Sequence, residues 1–154
     1  MPRLTRLNSD EKYVLDLVAE LLNEEYIWQK KFDTLLGDAG KNGAMRKLPV
    51  DAYFPQNNII VEYREKQHSQ SVAIMDRRMT VSGVPRGEQR KIYDSRKENW
   101  AVENNIKFMA ILFSDLSYSN NDKLLRNKEQ DSEILKRMIN KIIVNTDESI
   151  GWLK

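Results

Sequence analysis

The segment Leu48–His68, with the sequence LPVDAYFPQNNIIVEYREKQH, constrains the fold more than any other part of this chain. It contains two runs rich in β-branched and aromatic residues, Leu48–Phe54 and Ile59–Lys66. Between them lies Pro55–Asn58, whose proline, amide and asparagine residues favour a tight turn. Two such runs joined by a short turn are typical of an antiparallel β-hairpin.

The register of this hairpin brings two acids together. With Gln56 and Asn57 at the tip, Asp51 lies directly opposite Glu62, where Cβ atoms are about 4.5–5.5 Å apart and like charges are destabilising. The neighbouring pairs are apolar, as in strands covered on both faces. Either one acid stays protonated or a cation lies between them, and oxygen ligands suit Mg²⁺ or Mn²⁺. The alternative is a slipped register that leaves Asp51 apart, near the start of its strand.

The order of these residues resembles the PD-(D/E)XK nuclease superfamily. Asp51 follows Pro-Val, and Glu62 begins the ending Glu-Tyr-Arg-Glu-Lys-Gln-His after a hairpin turn and an apolar run. The pattern is closest to a branch of very-short-patch repair endonuclease-like bacterial proteins, with an aspartate on one strand and Glu-x5-His on the next. The resemblance implies an α/β fold with a restriction-endonuclease-like αβββαβ core, in which helices flank a central mixed sheet. It also implies a metal-dependent phosphodiesterase, and specifically a DNA endonuclease.

The resemblance further implies roles for individual residues. Asp51 and Glu62 hold Mg²⁺ or Mn²⁺, and the backbone carbonyl of Tyr63 adds a ligand. The lysine of the superfamily normally lies two residues after the second acid, where this chain has Arg64. A guanidinium does not give up its proton, so Arg64 can stabilise charge but cannot act as a base. The alternatives for the lysine's role are polar residues at the strand end: Lys66, Gln67 and His68. The histidine has a competing, purely structural interpretation.

Basic and polar side chains after the hairpin are the candidate nucleic-acid contacts. Arginine is preferred for bidentate phosphate binding. The candidates lie between the hairpin and the end of a helix predicted from Pro85 or Gly87 to Asn104: Arg77, Arg78, Arg86, Gln89, Arg90 and Lys97. Arg64 and Arg96 are further candidates for phosphate contacts. The alternative is that these side chains are ordinary solvated surface charges.

Before the hairpin, apolar residues at helical spacing predict a helix from about Asp10 that continues, or resumes after a bend, to Gly37. Glu25 falls within this stripe. The nuclease branch often has an acidic residue on its first helix, so the resemblance implies Glu25 as an additional metal ligand. Glu24 and Gln29 compete for that role, and a solvated position near a helix end is the alternative.

The remaining segments complete the predicted order of elements. Gly37–Lys47 is glycine-rich and predicts a loop that either contacts a phosphate backbone or only connects two elements. Val72–Met75 is a possible third strand, and the nearly continuous apolar run Ile106–Leu116 predicts a buried strand. A final helix is predicted from between Lys123 and Glu129 to about Val144. This order matches the αβββαβ core.

Bulk properties limit the function further. The 154 residues predict a single nuclease-like domain (1–154), 40% of residues are hydrophobic and the net charge is +2. The chain has no cysteine and one histidine, which excludes zinc–thiolate and multi-histidine centres. The N-terminus has no apolar run and no segment is long enough to span a membrane, so a cytoplasmic protein without membrane association is expected.

The expected partner is DNA, with no small-molecule cofactor, and cutting both strands favours a symmetric homodimer. The first alternative is a catalytically inactive, nucleic-acid-binding module with the nuclease fold, which Arg64 at the lysine position favours. The second is a globular structural protein whose carboxylate pair stays protonated.

Overall fold

The computed structural model describes residues 9–65, 86–121 and 123–151. These residues form, in chain order, α1 (Asp10–Leu22), β1 (Ile27–Ala39), β2 (Met45–Phe54), β3 (Ile59–Arg64), α2 (Arg86–Glu103), β4 (Lys107–Leu112), a 3₁₀ turn (Phe113–Asp115) and α3 (Lys128–Gly151). This is an α/β fold whose element order matches the predicted αβββαβ core.

The strands form one mixed sheet in the order β1-β2-β3-β4. β1 and β2 are antiparallel, β2 and β3 are antiparallel, and β3 and β4 are parallel. A parallel pair needs a long crossover, and the connection from β3 to β4 includes α2. The sequence of β3, IIVEYR, is buried at five of its six positions, as expected for a strand covered on both faces.

The predicted hairpin and its register are confirmed. Ala52 pairs with Val61, Tyr53 with Ile60 and Phe54 with Ile59. The tight turn is closed by Asn58 in the left-handed region at φ 55°, which asparagine tolerates better than most residues. The regular pairing of β2 with β3 ends at Ala52–Val61, one residue before the two acids.

The predicted continuation of the first helix is wrong. α1 ends at Leu22, and Asn23 in the left-handed conformation donates its backbone N–H to the carbonyls of Ala19 and Glu20. Such a cap closes the last helical turn. Residues 27–39 instead form β1, so Phe32 and Leu36 lie on a strand. β1 forms because β2 pairs with it as a long hairpin, and this partner satisfies its backbone groups in place of a helix.

This second hairpin also shortens the predicted loop. β1 and β2 extend into Gly37–Lys47 from both sides and leave only the turn between Ala39 and Met45. Gly43 adopts φ 78° in this turn, a conformation that glycine allows without strain. The possible strand Val72–Met75 lies outside the described residues, and β1 supplies the third strand before α2.

The two later helices and the buried strand are close to their predicted positions. α2 begins and ends within a residue or two of the prediction. β4 is shorter than Ile106–Leu116, since the chain turns into a 3₁₀ turn at Phe113. α3 continues past Val144 to Gly151. Among the described residues, no helix is both long and apolar enough to cross a membrane.

Apolar residues cover both faces of the sheet. One face packs on α1 and α3 through a cluster that includes Val14, Leu15, Val61 and Leu135. The other face packs on α2 through a smaller cluster, which includes Ile60 and Ala101. Because side chains alternate along a strand, Glu62 lies on the same face as Ile60, towards α2. The second acid of the hairpin is therefore buried between the sheet and a helix.

Candidate functional site

Asp51 and Glu62 interlock at the point where β2 and β3 separate. The backbone N–H of Asp51 donates to Glu62 Oε2 at 2.7 Å, and the backbone N–H of Tyr63 donates to Asp51 Oδ2 at 2.8 Å. Each carboxylate thus accepts a backbone N–H from the strand across from it. Glu62 is 2% exposed. The two side chains therefore lie together between the strands, as the predicted register required.

The environment of Asp51 strongly disfavours its charge. Burial is the largest cause, followed by the neighbouring carboxylates of Glu62 and Glu11, and together they raise the pKa of Asp51 to about 8. The N–H of Tyr63 and the ammonium of Lys97 act in the opposite direction, with smaller effects. At neutral pH a proton or a cation must therefore neutralise Asp51.

Lys97 of α2 lies at the acid pair. Its Nζ is 3.0 Å from Glu62 Oε1, and the two side chains are 14% and 3% exposed. Lys97 was predicted as a nucleic-acid contact, and the structure instead directs it at the second acid. The helical periodicity of the sequence did not predict the contact of Lys97 with Glu62, because α2 has few apolar residues to mark the face that packs on the sheet.

Two further polar residues approach Asp51 from elements before the hairpin. Gln29 lies on β1 between the pairs Trp28–Ala52 and Lys30–Val50, which puts it opposite Asp51. Its backbone is left-handed at φ 54°, and its Nε2 lies 3.5 Å from Asp51 Oδ1, the long limit of a hydrogen bond.

Glu11, near the start of α1, is the acidic residue of the first helix that lies near the site. Its carboxylate raises the pKa of Asp51 and accepts a 2.9 Å hydrogen bond from the indole N–H of Trp28. Glu11 was not predicted as a site residue from the sequence. It lies in the first turn of α1, where an acidic side chain is favourable for the helix dipole, and nothing local distinguished that role from one at the acid pair.

The structure does not bring Glu25 to the acid pair. It is an exposed residue of the connection between α1 and β1. The adjacent Glu24 is 7% exposed and accepts hydrogen bonds from the backbone N–H groups of Gln56 and Asn57, and from the side-chain amide of Asn57. Glu24 therefore holds the hairpin tip, which lies at the other end of the paired strands from Asp51 and Glu62.

Arg64, at the lysine position of the resemblance, also points towards α2. Its Nε is 3.7 Å from Asp94 Oδ2, and its guanidinium lies 5.8 Å from the centre of the Phe108 ring. Together with the contact between Glu62 and Lys97, this gives two contacts between oppositely charged residues of β3 and α2. The strand acid meets a helix base, and the strand base meets a helix acid.

Other predicted residues are divided between α2 and the undescribed segments. Gln89 and Arg90 are half-buried on α2. Arg96 donates to the carbonyl of Leu36 at 3.1 Å and to Asp38 Oδ1 at 3.0 Å, so it ties α2 to β1. Five predicted residues and the side chain of a sixth lie outside the described residues: Lys66, Gln67, His68, Arg77, Arg78 and Arg86.

The donors at the acid pair fit a hard divalent cation. Within residues 9–65, 86–121 and 123–151, no three acidic or histidine side chains are grouped closely enough to hold a metal ion. Mg²⁺ is commonly held by one or two carboxylates, with water and substrate phosphate completing its octahedron. Asp51 and Glu62 supply that number of carboxylates.

A basic groove lies beside the acid pair. The tip of the β1–β2 hairpin and α2 enclose about 700 Å³, which we call the hairpin groove. Its lining includes the ring of Tyr93, one acid, Asp38, and three cations: Lys41, Arg46 and Lys47. Lys47 pairs with Asp33 at 2.7 Å. The groove reaches Pro49, which is two residues, or about 7 Å of extended strand, from Asp51.

Comparisons of this chain with protein-family models, with curated proteins and with solved structures found no match. The case for its function therefore depends on the geometry of the acid pair, Asp51 and Glu62, and on the sequence order around them.

Proposed function

We propose that this chain is a metal-dependent phosphodiesterase that cleaves DNA internally with Mg²⁺, as a restriction-endonuclease-like nuclease. The observation that carries the proposal is the interlocked pair of Asp51 and Glu62. Two acids so close at the end of a strand pair destabilise the fold when both are charged, and the single ammonium of Lys97 at Glu62 does not offset the charge of Asp51. A divalent cation bound by both carboxylates removes that cost, and the order of residues around them resembles a family that uses such a site.

The proposed reaction is hydrolysis of a phosphodiester. The oxygen of a water molecule forms a bond to phosphorus while one P–O ester bond breaks. The water gives up one proton and the leaving oxygen gains one, so the products are a phosphate monoester and a free hydroxyl. A bound Mg²⁺ supplies Lewis-acid stabilisation of the negative charge that develops on the phosphoryl oxygens.

The residues around the pair have separate tasks in this reaction. Asp51 and Glu62 would hold the cation, and the backbone N–H groups that donate to their carboxylates fix their orientation. Gln29 restrains Asp51 from the side of β1. The low exposure of Glu62 limits the water around the site, which strengthens each electrostatic interaction.

The hairpin groove supports a nucleic acid as substrate. Lys41 and Arg46 give it positive charge that attracts a phosphate backbone independently of base sequence, whereas the charge of Lys47 is paired with Asp33. Its end at Pro49 would place a phosphate next to the acid pair. Cleavage of both strands by a chain of this size calls for a symmetric dimer, and such an enzyme would act in the cytoplasm.

Cleavage of supercoiled plasmid in Mg²⁺ tests the proposal. We expect the wild-type chain to nick or linearise the plasmid, and Asp51→Asn and Glu62→Gln each to reduce the rate at least ~100-fold, because each removes a charged ligand. Glu25→Gln is the matched control, since it neutralises an exposed acid of the same chain and should leave the rate unchanged. Cleavage that survives both site substitutions would overturn the proposal.

A second candidate is a nucleic-acid-binding module with the same fold and no turnover. The engagement of Arg64 with Asp94 and Phe108 favours it, because the residue at the lysine position is then occupied in packing. A gel shift at low salt without cleavage at any Mg²⁺ concentration would support this module over the nuclease.

A further inference from the structure

Lys97 makes a contact that a surface lysine does not make. Its ammonium is 3.0 Å from Glu62 Oε1, and its side chain is only 14% exposed. The other oxygen of Glu62 accepts the backbone N–H of Asp51. A lysine gains little from such burial at an ordinary helix surface, because its charge loses water and its long side chain loses rotamer freedom.

The residue at the usual lysine position is committed elsewhere. The Nε of Arg64 is 3.7 Å from Asp94 Oδ2, its guanidinium carbon is 5.8 Å from the centre of the Phe108 ring, and its side chain is 16% exposed. Asp94 and Lys97 are one helical turn apart on α2, so each meets its own residue of β3. The two basic residues therefore have different roles. Arg64 packs against an acid of α2, and Lys97 is directed at the acid pair.

We infer that Lys97, and not the residue at position 64, supplies the ammonium group that acts beside Asp51 and Glu62. Arg64 is then a positioning residue that holds α2 against β3. This inference rests on the proposed phosphodiesterase function. An ammonium has three donors. One is used by Glu62, and the other two can reach a phosphoryl oxygen and the attacking water, where they stabilise the developing charge.

The position of Lys97 has a second, measurable consequence. Its charge lies at the carboxylate oxygen that a divalent cation would also use. The two cations repel each other, so removal of the lysine charge should tighten binding of the metal alone by roughly tenfold at such short range. The same change should slow cleavage, because the ammonium no longer stabilises the transition state. If Lys97 only supported the fold, its removal would not both tighten metal binding and slow cleavage.

The experiment compares the full chain with Lys97→Met, Lys97→Gln and Lys97→Arg. Lys97→Gln keeps a donor to Glu62 and serves if the methionine variant does not fold. Lys91→Met is the matched control, because Lys91 is an exposed lysine of the same helix. Each protein is titrated calorimetrically with Mn²⁺ alone, and its thermal midpoint and steady-state plasmid cleavage in Mg²⁺ are measured.

We expect the neutral variants to bind Mn²⁺ roughly tenfold more tightly, and to lose at least ~100-fold in kcat with little change in KM. Lys97→Arg should recover part of kcat, and Lys91→Met should match the wild type in all measurements. Unchanged or weaker Mn²⁺ binding in a folded neutral variant would overturn the inference, as would wild-type cleavage by that variant.

The same measurements distinguish failure of the proposed nuclease function from failure of the inference about Lys97. If the wild-type chain does not cleave, the nuclease proposal fails, and the Mn²⁺ titration alone decides the role of Lys97. Tighter binding by the neutral variants then supports the ammonium at the acid pair, and unchanged binding overturns it.

Discussion

Asp51→Asn should stabilise this protein in the absence of divalent cations, although it removes a central residue of the site. Asparagine has the same shape, and its carbonyl oxygen can still accept the N–H of Tyr63. It cannot ionise, so the cost of a charged Asp51 disappears. A site that is built for a cation is expected to reduce stability in this way until the cation binds.

The magnitude follows from the pKa of Asp51, which is 3.8 in an unfolded chain and about 8 in the fold. Between these values the folded protein keeps the proton and the unfolded chain has lost it, so wild-type stability falls as pH rises through this window. At 1.36 kcal/mol per pH unit the complete loss is about 6 kcal/mol. Relaxation of the folded site reduces this, and we expect about 2 kcal/mol.

Urea unfolding followed by tryptophan fluorescence at pH values from 4 to 9, with EDTA present, measures the effect. The variant and the wild type should differ little at pH 4, and the variant should gain about 2 kcal/mol by pH 8 to 9. Asp33→Asn is the control, because Asp33 is an exposed aspartate whose pKa is lowered by Lys47. A difference between Asp51→Asn and wild type that is constant with pH would refute the reasoning, as would a variant that is less stable at pH 8.

The remaining predictions concern the cation, the hairpin tip and the hairpin groove. Mg²⁺ should raise the wild-type thermal midpoint more at pH 8 than at pH 6, because below about pH 8 it must displace the proton of Asp51; equal shifts would contradict this linkage. Glu24→Gln should destabilise the protein by about 1–3 kcal/mol in urea unfolding, whereas Glu25→Gln should have no effect; similar values for both would contradict the role of Glu24 at the tip. The double variant Lys41→Gln and Arg46→Gln should weaken DNA binding and reduce the slope of log K against log salt by about 2. An unchanged slope would exclude the hairpin groove as the path of the DNA.

The sequence predicted the hairpin of β2 and β3 because its determinants are local. Polar turn residues, two apolar runs and a period of two specify both the strands and their register. The proximity of Asp51 and Glu62 follows from that register alone. β1 was not predictable in the same way, since Phe32 and Leu36 fit a helical and an extended pattern, and only pairing with β2 selects the strand.

Sequence alone therefore determined the acid pair and the hairpin that brings it together, whereas β1 followed from pairing with β2. The tertiary structure decided which other side chains meet that pair. Lys97, Glu11 and Gln29 come from a helix on one face of the sheet, a helix on the other face and the strand beside it. No local sequence pattern shows that these residues approach Asp51. The orientation of a helix on a sheet depends on how apolar side chains from the whole chain pack together.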